Sequence, residues 1–238
     1  MRVARPLLIT LVVLCVLFIA ADRIAVTVAE SMAADELKNS RQVDGDPDVS
    51  IDGFPFLTQL AFGELDEVHA SAKGLRANGS DGSSVRITKF TANLHSVSFS
   101  SGFSAATADR ATGTALISYE DLSAAAPAGV TLSYGGESDK AGVSEVKVSS
   151  NVPLLGNLSL VSEIKLVDGD TVQVRAKSIP GEDRSPEMED RVRQHTDFSK
   201  QITGLPDGLE LTQVRAEPEG IAITLEGSRV SLTNVSVN

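Results

Sequence analysis

Apolar and polar residues alternate along most of this chain from Val68 to Ala176, which predicts a succession of strands rather than helices. Val85 and Ile87, then Phe90, Ala92 and Leu94, keep a two-residue period with a change of parity around Lys89, the mark of a bulge. Further strands are predicted through Val97–Phe99, Ala115–Tyr119, Val130–Tyr134, Val146–Val148 and Leu158–Leu166. Asp168-Gly169-Asp170 reads as the hairpin turn into Val172–Ala176. Four strand pieces close the chain, at Leu209–Leu211, Val214–Ala216, Ile221–Leu225 and Val230–Val237.

Two segments have helical spacing instead. Ile24, Val28 and Met32, with Ala25, Ala29 and Ala33, form one side of a helix ending near Lys38. Met188, Val192, His195, Phe198 and Ile202 form a stripe from Glu187 to Ile202, with Ser185 as N-cap and Gly204 as terminator. A short helix is expected from Asp121 to Ala126. Sheets with one apolar face need a cover. The predicted architecture is therefore α+β and β-rich, a long curved antiparallel sheet wrapped around amphipathic helices.

The N-terminus changes the picture. Arg2 and Arg5 precede an apolar stretch from Leu7 to Ala21, closed by Asp22-Arg23. That is short for a span of about twenty residues and fits a secretory leader, either cleaved or retained as an anchor. Residues 1–23 are read as signal peptide or membrane anchor and residues 24–238 as one domain. Positive charge at the start places the body outside the cytoplasm. Cys15 is the chain's single cysteine, so no intrachain disulfide forms and the core alone must stabilise the exported body. The net charge of −11 disfavours nucleic acid as a partner. It does not disfavour a lipid held by its tails: two acyl chains carry on the order of thirty methylenes at about 0.8 kcal/mol each.

Aromatic bulk is concentrated in one place. Phe54, Phe56 and Phe62 stand within Gly53-Phe54-Pro55-Phe56-Leu57-Thr58-Gln59-Leu60-Ala61-Phe62-Gly63, in a chain with no Trp and two Tyr. The run reads as the end of a short strand leading into apolar helix or loop. Aromatics with Pro make a rigid apolar lining, or a lip at a membrane edge. The candidate lipid-binding residues are Phe54, Pro55, Phe56, Leu57, Leu60 and Phe62, followed by Phe90, Leu94, Phe99 and Phe103 from the strands.

Gly-Phe-Pro-Phe-Leu-Thr-Gln resembles the opening signature of the LmeA-type phospholipid-binding family of actinobacterial envelope proteins. Gly204-Leu205-Pro206-Asp207-Gly208-Leu209-Glu210-Leu211 and Gly220–Gly227 resemble that family's C-terminal pattern. The resemblance implies a tubular lipid-binding (TULIP-like) fold and a role in maintaining envelope lipids or lipoglycans such as lipomannan. It implies as ligand a phospholipid or a lipid-linked glycan precursor, met at the outer face of the cytoplasmic membrane.

Other chemistry is thinly supported. Asp44, Asp46 and Asp48 open like a calcium loop, but Val49 stands where Gly is needed and Pro55 where the bidentate Glu is needed. His69, His95 and His195 have no partner at ligand spacing. There is no Gly-x-Ser-x-Gly elbow and no phosphate loop. No cofactor or metal is expected, and the chain reads as a non-enzymatic carrier. The competing reading is a membrane-anchored scaffold with a filled core, and an envelope hydrolase is a third. A lining role for the aromatic run predicts that Phe56→Asp and Phe62→Asp each abolish lipid co-purification without disturbing circular dichroism. Unfolding of both would place them in the core.

Overall fold

The computed structural model describes residues 4–39, 43–78, 84–100, 105–138, 140, 142–152, 156–179, 186–202 and 205–232. Its first element is a single unbroken helix, α1 (Ala4–Asn39), which at about 1.5 Å per residue is about 54 Å long. The apolar surface of its first half, Leu7 to Ile19, is exposed throughout. The second half docks onto the domain. Asp22 is fully buried and accepts a hydrogen bond from the Leu57 amide at 2.8 Å, while Glu30 accepts from the Ile51 amide at 2.9 Å. Lys38 pairs with Asp46 at 2.5 Å. These three tethers meet progressively earlier chain positions, so α1 runs antiparallel beside β1 (Asp48–Asp52).

Those tethers also decide which side of α1 faces inward. Val26 is buried, with Ala25 and Ala29 packed beside it, whereas Ile24, Val28 and Met32 are exposed. The stripe expected to pack is thus split: its alanines Ala25 and Ala29 face inward, and its large residues face outward. A buried carboxylate must meet its donors, so Asp22 sets the rotation of the helix and overrides the weaker apolar preference.

After β1 the chain turns at Gly53, whose φ of +112° excludes other residues, and enters α2 (Phe56–Phe62) through a cis Phe54–Pro55 peptide. Gly63, left-handed at φ 75°, terminates α2 with its amide on the Gln59 and Leu60 carbonyls. Then come β2 (Glu64–Asn78), β3 (Ser84–Phe99) and β4 (Ala106–Ser118). The Ser118 hydroxyl caps α3 (Tyr119–Ala125) by accepting from the Asp121 amide. Next are β5 (Val130–Tyr134), β6 (Ser144–Val152), β7 (Gly156–Val167) and β8 (Thr171–Ala176). Asp168 and Gly169 make the β7–β8 turn with positive φ, as the hairpin reading requires. The last elements are α4 (Pro186–Thr196), β9 (Phe198–Gln201), β10 (Leu209–Glu217) and β11 (Gly220–Ser231).

The α+β, β-rich class holds, with 53% of the described residues in strands. The strands divide into two antiparallel sheets, β1-β2-β3-β4-β11-β10 and β5-β6-β7-β8-β9. The break falls where α3 interrupts the meander, and β10–β11 return to complete the first sheet against β4. The faces meet over a core in which Ile117 and Ile223 oppose Val146, Ile164 and Val174. A second cluster joins Val26, Phe56, Leu65, Val97 and Ala108, and a third lies under α4 around Leu160, Ala176 and Val192.

Two local expectations change. No bulge marks Lys89, because the β2–β3 and β3–β4 registers run unbroken up to it. There β4 gives way to α3 as the neighbour of β3, which relaxes the parity rule. A register shift sits instead between Leu211 and Gln213, where the apolar positions Leu211 and Val214 change parity. The helix expected to reach Ile202 ends at Thr196, and Phe198–Gln201 pairs with β8 as an edge strand. Residues four apart share a face in a strand as well as in a helix, so Phe198 and Ile202 did not discriminate between the two. Ser185, Gly204, Phe103 and the last strand positions, Val235 and Val237, lie outside the described residues.

Asp22→Ala leaves the first amides of α2 without their acceptor, and α1 loses its deepest polar tether. Hydrogen exchange at Phe56 and Leu57 is expected to accelerate at least tenfold, with Asp22→Asn retaining part of the protection.

Candidate functional site

An open apolar space lies between the two sheets, beneath α3. It is a cavity of about 310 Å³, at the lower end of the roughly 300–1,000 Å³ range of ligand pockets. Ile117, Ile221 and Ile223 form one wall; Leu132, Ile164 and Val174 form the other. Small residues at the end of α3, Ala125 and Ala126, keep the space from being filled. Phe198 and Ile202 close the far side, brought there by the β9 strand. Polar groups occur only at the margin, where Ser199 is exposed and Lys200 half-buried. Beside α3, Tyr119 donates its hydroxyl hydrogen to the Glu217 carbonyl at 2.8 Å, and burial pushes its pKa up to about 12. It is a neutral structural bolt between α3 and the β10–β11 turn.

Of the ten sequence candidates, Phe103 lies outside the described residues and none of the other nine lines this cavity. Phe56 is a core residue, 3% exposed, with Leu57, Leu60, Leu94 and Phe99 packed around the same cluster. Phe90 packs partly against the core between the sheets. Phe54 and Phe62 are different: they are 57% and 83% exposed, at the end of the sheet where α1 emerges. The Arg23 guanidinium lies 5.4 Å from the centre of the Phe54 ring, a cation–π contact, and bonds to Asp22 at 2.6 Å. Pro55 precedes α2 with extended backbone angles and fixes the turn that presents Phe54.

The aromatic rim and the cavity therefore occupy opposite ends of the first sheet. Ala108 belongs to the cluster around Phe56, and Ile117 lines the cavity on the same strand. Nine residues of strand place the two ends about 30 Å apart. Sequence reading missed the cavity because its walls are ordinary alternating strand residues from seven elements, and no local signal marks a gap between sheets. The alanine run of α3 is the single legible trace.

An apolar chamber with a thin polar margin, carried by a β-rich domain under a long apolar helix, defines a binding protein for apolar or amphiphilic ligands. Residues 20–226 match the family described as LmeA-like phospholipid-binding, and the chain belongs to that family. No curated protein and no solved structure matches the chain.

The separation of core and rim gives the two phenylalanines opposite fates. Phe56→Asp buries an unpaired charge and removes a large side chain, a loss of at least about 3–5 kcal/mol, and should lower the melting temperature sharply. Phe62→Asp should leave the melting curve and the circular dichroism unchanged.

Proposed function

We propose that this chain is a non-enzymatic phospholipid-binding protein of the cell envelope. It is anchored in the cytoplasmic membrane by α1 and shelters acyl chain in the chamber between its sheets. The observation that carries the reading is that chamber, apolar on every wall, in a member of a phospholipid-binding family. Taking a methylene as about the size of a water, roughly 30 Å³, the space accepts on the order of ten methylenes, about 8 kcal/mol of transfer free energy. Association itself costs an estimated 4–15 kcal/mol. Part of one tail is therefore marginal, and the rest of the lipid must gain contact along the margin of the chamber.

The same geometry supports retention of the leader. Small-residue cleavage positions at Ala21 and Ala29 both lie inside unbroken helix, and a cut after Ala29 would discard Asp22 and Val26, which hold α2. With Leu7–Ala21 in the bilayer, Asp22 and Arg23 mark its outer surface, and Phe54 and Phe62 stand at headgroup level, as interfacial aromatics do. They and their neighbours Pro55, Leu57 and Leu60 touch membrane lipid at the rim. The chamber is held about 30 Å farther out along the sheet. The LmeA-type resemblance extends this to the upkeep of actinobacterial envelope lipids and lipoglycans, with a lipid-linked glycan precursor as the other ligand class.

Full-length protein, purified in a mild detergent and analysed by native mass spectrometry and lipid extraction, should carry phospholipid and retain the mass of residues 1–238. Ala126→Trp should fill the chamber and cut lipid occupancy at least tenfold at unchanged melting temperature. Protein that remains empty when offered phospholipid vesicles would sink the carrier reading in favour of the scaffold.

A further inference from the structure

The outer face of the first sheet carries a cluster that no apolar ligand explains. Cross-strand register sets Asp52 of β1 opposite Glu67 of β2, Glu67 opposite His95 of β3, and His69 opposite Asn93. Residues two apart share a face, so all five side chains project from one patch. His69 Nε2 lies 3.0 Å from Asp52 Oδ2 and 3.3 Å from Glu67 Oε1. Its other ring nitrogen, Nδ1, lies 2.7 Å from Asn93 Oδ1. Across Glu67, His95 Nδ1 approaches the same Oε1 at 3.5 Å. Among the described residues, Asp52, Glu67 and His69 are the group whose ligand atoms gather within 4.8 Å of one another.

Asn93 Oδ1 can only accept, so Nδ1 carries the hydrogen in that bond. In the neutral imidazole this leaves Nε2 with its lone pair facing two carboxylate oxygens. Three electron-rich atoms at these distances repel unless a cation stands between them. A proton on Nε2 is one solution. The geometry also satisfies a second. Ligands of a tetrahedral zinc ion at 2.0–2.1 Å lie about 3.3–3.4 Å apart, close to the separations from Nε2. Nitrogen and oxygen donors together suit zinc rather than calcium or magnesium. The Asn93 bond to Nδ1 is the outer support that orients a metal-bound imidazole. Two carboxylates neutralise a dication, and the chain's net charge of −11 favours its approach.

We propose that Asp52, Glu67 and His69, with His95 beside them, form a binding site for a divalent metal ion of the zinc class, with Asn93 as its positioning residue. The site is independent of the lipid reading. It staples β1 to β2 immediately before the Gly53 turn that presents Phe54. Sequence spacing conceals it, because its members come from three strands and meet only through register.

Full-length protein in detergent micelles, stripped with a chelator and desalted, would be titrated with zinc chloride in a calorimeter above neutral pH. One equivalent should bind saturably, and cobalt substitution should give the intense visible bands of a tetrahedral site. His69→Ala and Glu67→Gln should each weaken binding at least tenfold. Asn93→Ala should weaken it about tenfold, and His195→Ala, on α4, should leave it unchanged. Nuclear magnetic resonance of the unsubstituted protein gives a reading free of folding effects: zinc should shift the ring signals of His69. No saturable binding, binding that survives His69→Ala in a folded protein, or an unmoved His69 ring signal would each overturn the site and leave His69 a protonated partner of the two carboxylates.

Discussion

One buried carboxylate joins the two halves of this molecule. Asp22 sits at the end of the apolar segment and receives the first amides of α2, with Arg23 closing its outer oxygen. A seven-residue helix preceded by Pro has no side-chain cap of its own, so α2 depends on an acceptor from a distant part of the chain. The same contact rotates α1, buries Val26, and turns Ile24, Val28 and Met32 outward. The long helix α1, the aromatic rim and the first sheet are thereby packed together.

That unit gives direction to the rest. The Glu30 and Lys38 tethers align α1 with the strand direction of β1. The sheet consequently extends away from the end where Phe54 and Phe62 are exposed. The second sheet joins only toward the far end, where Ile117 and Ile221 meet Ile164 and Val174 across the chamber. A molecule of this charge gains little from a headgroup-covered surface, and its favourable terms are apolar. Two exposed phenylalanines and one apolar chamber are the places where such terms are available. Their separation by the length of a strand would, on the proposed reading, divide contact with a membrane from shelter of a tail.

Much of the architecture was legible because alternation is a local property. The strands at Val130–Tyr134, Val146–Val148 and Val172–Ala176, the Asp168-Gly169 turn and the short α3 all rest on neighbours within a few residues. Phe198 and Ile202 were misassigned because a four-residue interval suits both periodicities, and the free edge of β8 decided between them. The aromatic run drew attention for a sound reason, yet its members separate into a core residue at Phe56 and surface residues at Phe54 and Phe62. Residue type cannot tell an aromatic that fills space from one that meets lipid.

By itself the sequence determined the β-rich class, a long apolar segment near the N-terminus, and a family kinship carried by the Gly-Phe-Pro-Phe motif. These follow from periodicity, length and short-range backbone preference, which act along the chain. Tertiary structure alone decided the rotation of α1, the division into two sheets, the chamber under α3 and the meeting of Asp52, Glu67 and His69. Each is a relation between residues tens of positions apart, set by which buried polar groups find partners and which strand edges are closed, and no window along the chain contains both members.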